Sequence, residues 1–131
     1  MSLRTSLAPH APKILSILRI VAGLIFLVHG TGKHLGFPTL GMEFPAGSPA
    51  WIAGWVELVG GALIALGLFT RPAAFIASGT MAGAYFMAHA PQSFYPALNG
   101  GDAAILYCFV FLYLFFAGPG PWSLDAKMGK E

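Results

Sequence analysis

Two ionisable residues stand where a charge is hard to keep. Glu57 lies in the middle of an apolar run from Ala50 to Phe69, and Arg19 lies inside another, from Ile14 to Gly30. Each run is long enough to cross a membrane. An ionisable group at that depth faces a protein interior, takes a partner and marks a functional site. At about 100° per residue, Arg19, Gly23, Phe26, Gly30 and Lys33 fall on one stripe of the first run, and Gly54, Glu57 and Gly61 share a stripe of the second. Small residues on such stripes allow helices to approach closely. A rise of about 1.5 Å per residue sets Glu57 about 10 Å, and Arg19 about 16 Å, below the outer ends of their helices. A long arginine side chain climbs toward better-solvated partners. The expected contact is therefore a structural Arg19–Glu57 ion pair that fixes the register of the first two helices.

The other polar groups collect toward one end. His29 and Lys33 close the first run, with His34 beside them. His89 ends a third run, and Asn99 and Asp102 precede a fourth. Convergence from separate helices predicts one outward-opening ligand pocket lined by His29, Lys33, Glu57, His89, Asn99 and Asp102. Within it, His89 and Asp102 are the candidate catalytic groups, within hydrogen-bond reach of each other or of a shared ligand. Each residue also has a plainer role. His89 can cap helix carbonyls, Asp102 suits a helix N-terminus, and Asn99 can cap with Asp102 bonding back. Histidines and carboxylates are also metal and haem ligands, but no HxxxH or Cys/His spacing supports that chemistry, and no metal ligand is assigned.

These residues need elements to carry them. The chain of 131 residues is 56% hydrophobic and only 9% charged, far from the roughly 25% charge of soluble domains. Four apolar segments, 14–30, 50–69, 72–90 and 101–117, each approach the length of a membrane span. The expectation is all-α: an integral membrane four-helix bundle of antiparallel, up-down topology, forming a single domain over 1–131. Thr70 and Arg71 make a very short link, and Pro72 suits a first helical position. Arg19 interrupts the first run and no small-x-small site follows, so this run is read as a span, not as a cleaved signal peptide. Arg4, Lys13, Arg71, Lys127 and Lys130 fall on one side, against Lys33 on the other. That asymmetry places both termini in the cytoplasm and loops 31–49 and 91–100 outside, with Phe37, Phe44, Trp51 and Trp55 suited to an aromatic belt. Gly79 and Gly83 form a GxxxG spacing that serves packing or a homodimer. The run 109–116 is expected to face lipid. A net charge of +2 without basic clusters excludes a nucleic-acid partner, and the single cysteine, Cys108, precludes an intrachain disulfide.

The stretches LRIVAGLIFLVHGTGK (18–33), GWVELVGGALIALGLFTRPAA (54–74) and NGGDAAILYCFVFLYLFFAGPGPWSLD (99–125), together with His89, resemble the DoxX family of small four-helix membrane proteins. The resemblance spans Leu18 to Asp125. The family pattern maps onto Arg19, Gly30, Lys33, Glu57, Gly61, Gly67, His89, Asn99, Gly118 and the Ser123-Leu124-Asp125 triplet. Position 102 departs from it, with Asp where relatives often have Glu. The resemblance implies a multi-pass protein of a bacterial inner membrane. Some relatives are membrane parts of oxidoreductase systems, including thiosulfate–quinone oxidation and oxidative-stress complexes. Three readings stay open. In the first, a redox protein binds a quinone or related small oxidant in the outer pocket and works with a redox partner protein. His89 and Asp102 then exchange protons, and Lys33 holds negative charge on the reduced ligand. In the second, the chain is a non-catalytic anchor or scaffold subunit, or a small-solute carrier. The third and weaker reading is a haem or metal-binding membrane protein.

The charge asymmetry makes a direct prediction. A cysteine introduced at Thr39 should react with an impermeant maleimide added from outside the cell; reaction only from the cytoplasmic face would reverse the topology.

Overall fold

The computed structural model describes residues 2–131, and among them every regular element is helical. Helix α1 (Leu3–His34) carries a 3-10 turn around Pro9 and then runs unbroken. Helix α2 (Pro49–Leu66) opens with the Ser48 hydroxyl accepting from Trp51 N and with proline in its first turn. Helix α3 (70–92) changes from α geometry to a π turn at Tyr85–His89 and a 3-10 turn at Ala90–Gln92. A one-turn helix α4 (Pro96–Asn99) leads to α5 (Asp102–Ala117), and α6 (Leu124–Lys127) closes the chain. Helices α1 and α2 are long and apolar enough to cross a membrane; α5 is apolar but shorter, at 16 residues.

The bounds differ from the hydropathy pattern for local reasons. The first helix starts well before Ile14, because Ser2 caps it and Pro9 and Pro12 are absorbed without a break. The second ends short of Phe69 because Gly67 turns left-handed (φ 72°). There Leu68 N donates to Leu63 O (2.9 Å) and Gly67 N to Ile64 O (3.1 Å), the two bonds of a Schellman ending.

Helices α1 and α2 touch backbone to backbone. A Cβ on Gly23 would meet Ala65 N at 2.7 Å, one on Gly61 would meet Leu27 Cα at 2.7 Å, and one on Gly30 would meet the Glu57 carbonyl carbon at 2.8 Å. The facing residues advance along α1 as they retreat along α2, so the pair is antiparallel. On the other side α3 lies along α5, with Ser78 Oγ donating to Cys108 O (2.7 Å). Phe26, Ile64, Met81, Phe111 and Leu114 fill the space between the two pairs. Burial of Phe111 and Leu114 corrects the expectation that 109–116 faces lipid; Phe109, Tyr113 and Phe116 are the exposed members. Gly79 and Gly83 meet nothing within 4 Å, so their spacing packs no helix of this chain among the described residues.

Arg19 does not pair with Glu57. Its side chain is 1% exposed and turned toward the chain termini. Nε donates to Ile64 O (2.9 Å), NH2 to Trp122 O (2.7 Å), and NH1 to Pro119 O. Helical Cα–Cβ bonds tilt toward the helix N-terminus, so Arg19 leans away from Glu57. The last carbonyls of α2, which a helix end leaves without intrahelical donors, lie within its reach. The C-terminal segment completes this end. Ser16 Oγ accepts from Trp122 N (3.1 Å), and the Asp125 carboxylate accepts from Phe69 N and Thr70 N, both at 2.9 Å. Asp125 thus caps α3 from a distant part of the chain.

The glycine contacts predict a contrast. Gly30→Ala and Gly61→Ala should each lower stability by about 1–3 kcal/mol, the usual cost of overpacking. Gly79→Ala and Gly83→Ala should leave it unchanged or slightly raised. Thermal unfolding in one detergent would check all four; equal losses across the set would contradict the close α1–α2 contact.

Candidate functional site

Away from the chain termini the helix pairs separate. Ala53, Ala84, Ala88, Ala103 and Ala104 are too small to fill the gap, and a cavity of about 690 Å³ remains. Its polar lining comes from His29 and Lys33 on α1, Glu57 on α2, Thr80 and His89 on α3, and Tyr107 on α5. The rest is apolar, including Ile52, Val56, Met81 and Met87.

The centre of the site is an ion pair. Lys33 Nζ lies 2.8 Å from Glu57 Oε1, and the two side chains are 12% and 6% exposed. The backward tilt that turns Arg19 from Glu57 brings Lys33 toward it from one turn beyond Gly30. The approach satisfies charge without a well-aligned hydrogen bond, because Glu57 Oε1 accepts none among the described residues. Beyond Lys33 Nζ, no donor among the described residues reaches this buried oxygen, so the ion pair alone compensates it. The Phe44 ring lies 5.4 Å from Lys33 Nζ and covers the pair from the 35–48 loop.

Backbone irregularity coincides with this wall. Glu57 lies in a π turn, Val56–Gly60, and His89 in another, Tyr85–His89. Such turns are rare and gather at functional sites. His89 Nδ1 lies 2.9 Å from Asn99 O, and His29 Nδ1 lies 3.0 Å from Ile25 O. Tyr107 stacks on Phe111 (5.6 Å between centroids), with Phe26 tilted against it at 5.3 Å and His29 edge-on at 6.0 Å.

The six predicted pocket residues divide. His29, Lys33, Glu57 and His89 come together at the cavity; Asn99 and Asp102 do not line it. Asn99 is buried behind the wall. It donates to Tyr85 Oη (3.1 Å) and Ser93 O (3.0 Å), and its Oδ1 accepts from Gly101 N (2.8 Å). That last bond closes a turn before α5, so no Asn99–Asp102 capping box forms, and α5 starts without a side-chain cap. Asp102 stands exposed in the first turn of α5, where the helix dipole favours an acid. His89 bonds the Asn99 carbonyl, not Asp102. His34 is also outside the cavity, stacked on Trp55 (3.9 Å) with Nε2 3.0 Å from Trp51 O. Thr80 and Met87 went unread in the sequence. Their signal was available, since Thr80, Ala84 and Met87 recur at the spacing of one helix face. Among the described residues no three His, Cys, Asp or Glu side chains gather closely enough to hold a metal ion.

A second hollow of about 710 Å³ lies near the termini, lined by Pro12, Arg71, Tyr113 and Pro119. Its one cation is engaged by backbone, with Arg71 donating to Phe115 O (2.9 Å), Phe116 O (2.7 Å) and Glu131 O (3.0 Å). The first cavity combines apolar walls with a buried ion pair and two histidines, and it is the candidate site.

The family model of DoxX matches residues 14–90, which carry most of α1, all of α2, most of α3 and with them Lys33, Glu57 and His89. The chain belongs to the DoxX family. It is 45% identical to an uncharacterized protein of Haemophilus influenzae, over 96% of this chain and 98% of that one. It is 33% identical to an Escherichia coli protein named inner membrane protein YphA, over 88% and 91% of the two chains. It is also 36% identical to a Bacillus subtilis protein named "Putative oxidoreductase CatD", over 52% and 54%. No solved structure matches. DoxX membership makes the chain a membrane protein, and Arg19, Gly30, Lys33, Glu57, Gly61 and Gly67 all lie within the matched residues.

The geometry separates the two candidate ion pairs by experiment. Lys33→Met or Glu57→Gln alone should cost about 3–5 kcal/mol, as breaking a buried pair does, and the double variant less than the sum. Arg19→Met and Glu57→Gln should add, since they share no partner. A double-mutant cycle on unfolding in detergent measures both; coupling between Arg19 and Glu57 would contradict the arrangement described.

Proposed function

We propose that this DoxX protein binds a quinone or a related small redox ligand in the cavity beside Lys33 and Glu57, as a component of a membrane redox system. The observation that carries this reading is the buried Lys33–Glu57 pair on the wall of a mostly apolar cavity that His29, Thr80, His89 and Tyr107 also line. The volume falls in the roughly 300–1,000 Å³ range of small-molecule sites. Apolar walls suit a ring and its tail, and the polar groups suit its oxygens. Lys33 holds negative charge developing on a ligand oxygen, and His89, oriented by Asn99 O, exchanges a proton. Phe44 over Lys33 limits water at the pair. The oxidoreductase name of the Bacillus subtilis relative agrees in class.

In this reading the four long helical stretches form an antiparallel bundle crossing a bacterial inner membrane, in line with the name of the Escherichia coli relative. The end that holds Arg19, Asp125 and the C-terminus then faces the cytoplasm, with Arg71, Lys127 and Lys130 near it. The cavity opens toward the outer leaflet.

Purification in mild detergent, followed by mass spectrometry and a visible spectrum of the extract, tests the reading. Wild-type protein should retain a quinone-type molecule or take up an added one. His89→Ala should lower uptake at least about threefold, the worth of one hydrogen bond, and Asp102→Asn should leave it unchanged. Failure of wild-type protein to retain or take up any such molecule would leave the anchor or scaffold reading in front.

A further inference from the structure

The hydrogen-bonding pattern of the cavity carries information about which form of a ligand it accepts. This step rests on the ligand reading above and goes further, to the protonation of the ligand's oxygens. His29 Nδ1 and His89 Nδ1 each face a backbone carbonyl, Ile25 O at 3.0 Å and Asn99 O at 2.9 Å. A carbonyl oxygen only accepts, so each Nδ1 must carry the ring proton. In the neutral imidazole the other nitrogen then holds a lone pair. Neither Nε2 has a hydrogen-bond partner among the described residues, and both rings line the cavity.

A further cavity group points the same way, while Glu57 Oε1 is taken up by Lys33 Nζ at 2.8 Å and is no free acceptor. Thr80 Oγ1 gives its proton to Ile76 O (2.8 Å), which leaves only oxygen lone pairs to a ligand. Against these acceptors stand few donors. Lys33 Nζ is drawn to Glu57, and the Tyr107 hydroxyl can serve in either sense. A ligand carbonyl, which needs donors, is poorly served here. A ligand hydroxyl, which brings its own proton, finds acceptors on α1 and α3.

We infer that the cavity selects the dihydroxy, reduced form of a quinone-type ligand over its dicarbonyl, oxidised form, with His29 Nε2 and His89 Nε2 as acceptors of its hydroxyl protons. His29 thereby gains a role in ligand discrimination. The proposal concerns binding, and no electron acceptor is required for it.

The test compares two probes that share one tail, so that apolar burial cancels. A decyl-substituted benzoquinone and its hydroquinone are titrated calorimetrically, without oxygen, into full-length protein in lipid nanodiscs. The buffer is mildly alkaline, where free imidazole is neutral. Two matched hydrogen bonds, each worth roughly threefold to tenfold, give an expected preference for the hydroquinone of at least about tenfold. His29→Phe and His89→Phe should each shrink that ratio. Equal binding, or tighter binding of the quinone, overturns the inference while the ligand reading stands. A preference that both variants leave intact overturns the assignment to the histidines. Binding of neither probe to wild-type protein removes the ligand reading and this inference with it. The wild-type ratio decides the first question even if a variant fails to fold.

Discussion

The backbone contact between α1 and α2 sets the terms for the rest of the molecule. Gly23, Gly30 and Gly61 leave no room for side chains between the two helices, so the pair behaves as one thick element. Helices α3 and α5 make a second element, joined by small residues and the Ser78–Cys108 bond. Large side chains fill the middle of the space between these two elements. Toward the termini, Arg19 and the C-terminal segment fill it. At the other end several of the facing residues are alanines, and the space stays open as the cavity. Position along one gap therefore decides whether a residue is core, staple or site.

The two ends keep a buried cation in different ways. Arg19 sits among neutral acceptors. The end of α2 supplies Ile64 O, and the proline-rich stretch from Gly118 to Trp122 supplies Pro119 O and Trp122 O, since proline has no N–H and a backbone rich in it carries more acceptors than donors. A planar guanidinium with five donors matches that surplus well. All of its hydrogen-bond partners are backbone carbonyls of elements that must stay together, so Arg19 ties α1, the end of α2 and the C-terminal segment into one unit. Lys33 instead faces a carboxylate at an open cavity, and the pair retains unused bonding capacity. Charge of the first kind stabilises an arrangement of chain. Charge of the second kind is available to a ligand.

Much of this was legible in the sequence, and the reasons are specific. The stripes of glycine with one ion identified the faces of α1 and α2 that meet, because close packing in a membrane leaves helices few other residues to use. His29, Lys33, Glu57 and His89 were recognisable as one cluster from their common depth. The partner of Arg19 was not legible. Counting depth alone let its side chain climb toward Glu57, whereas the backward tilt of helical side chains sends it the other way, and its true acceptors include carbonyls about a hundred residues along the chain. Asp102 was misplaced for a similar reason. Its spacing from Asn99 fits a cap, but the Asn99 side chain closes on Gly101 N and leaves Asp102 to the surface.

The π turns give the site support that does not depend on side-chain chemistry. Regular α geometry satisfies the backbone at least cost in hydrocarbon, where no water can bond a displaced carbonyl. A π turn departs from it, and fewer than about one residue in a hundred adopts one in ordinary proteins. The described residues hold two, on the consecutive helices α2 and α3, and both fall on the wall of the same cavity. A packing role could be met by regular helices with the glycines and alanines already present. What a π turn adds is a shift in the direction of the side chains around it, here Glu57 and His89. Those are the carboxylate paired with Lys33 and the imidazole held by a carbonyl, so the irregular backbone lies where the polar groups of the cavity wall are set.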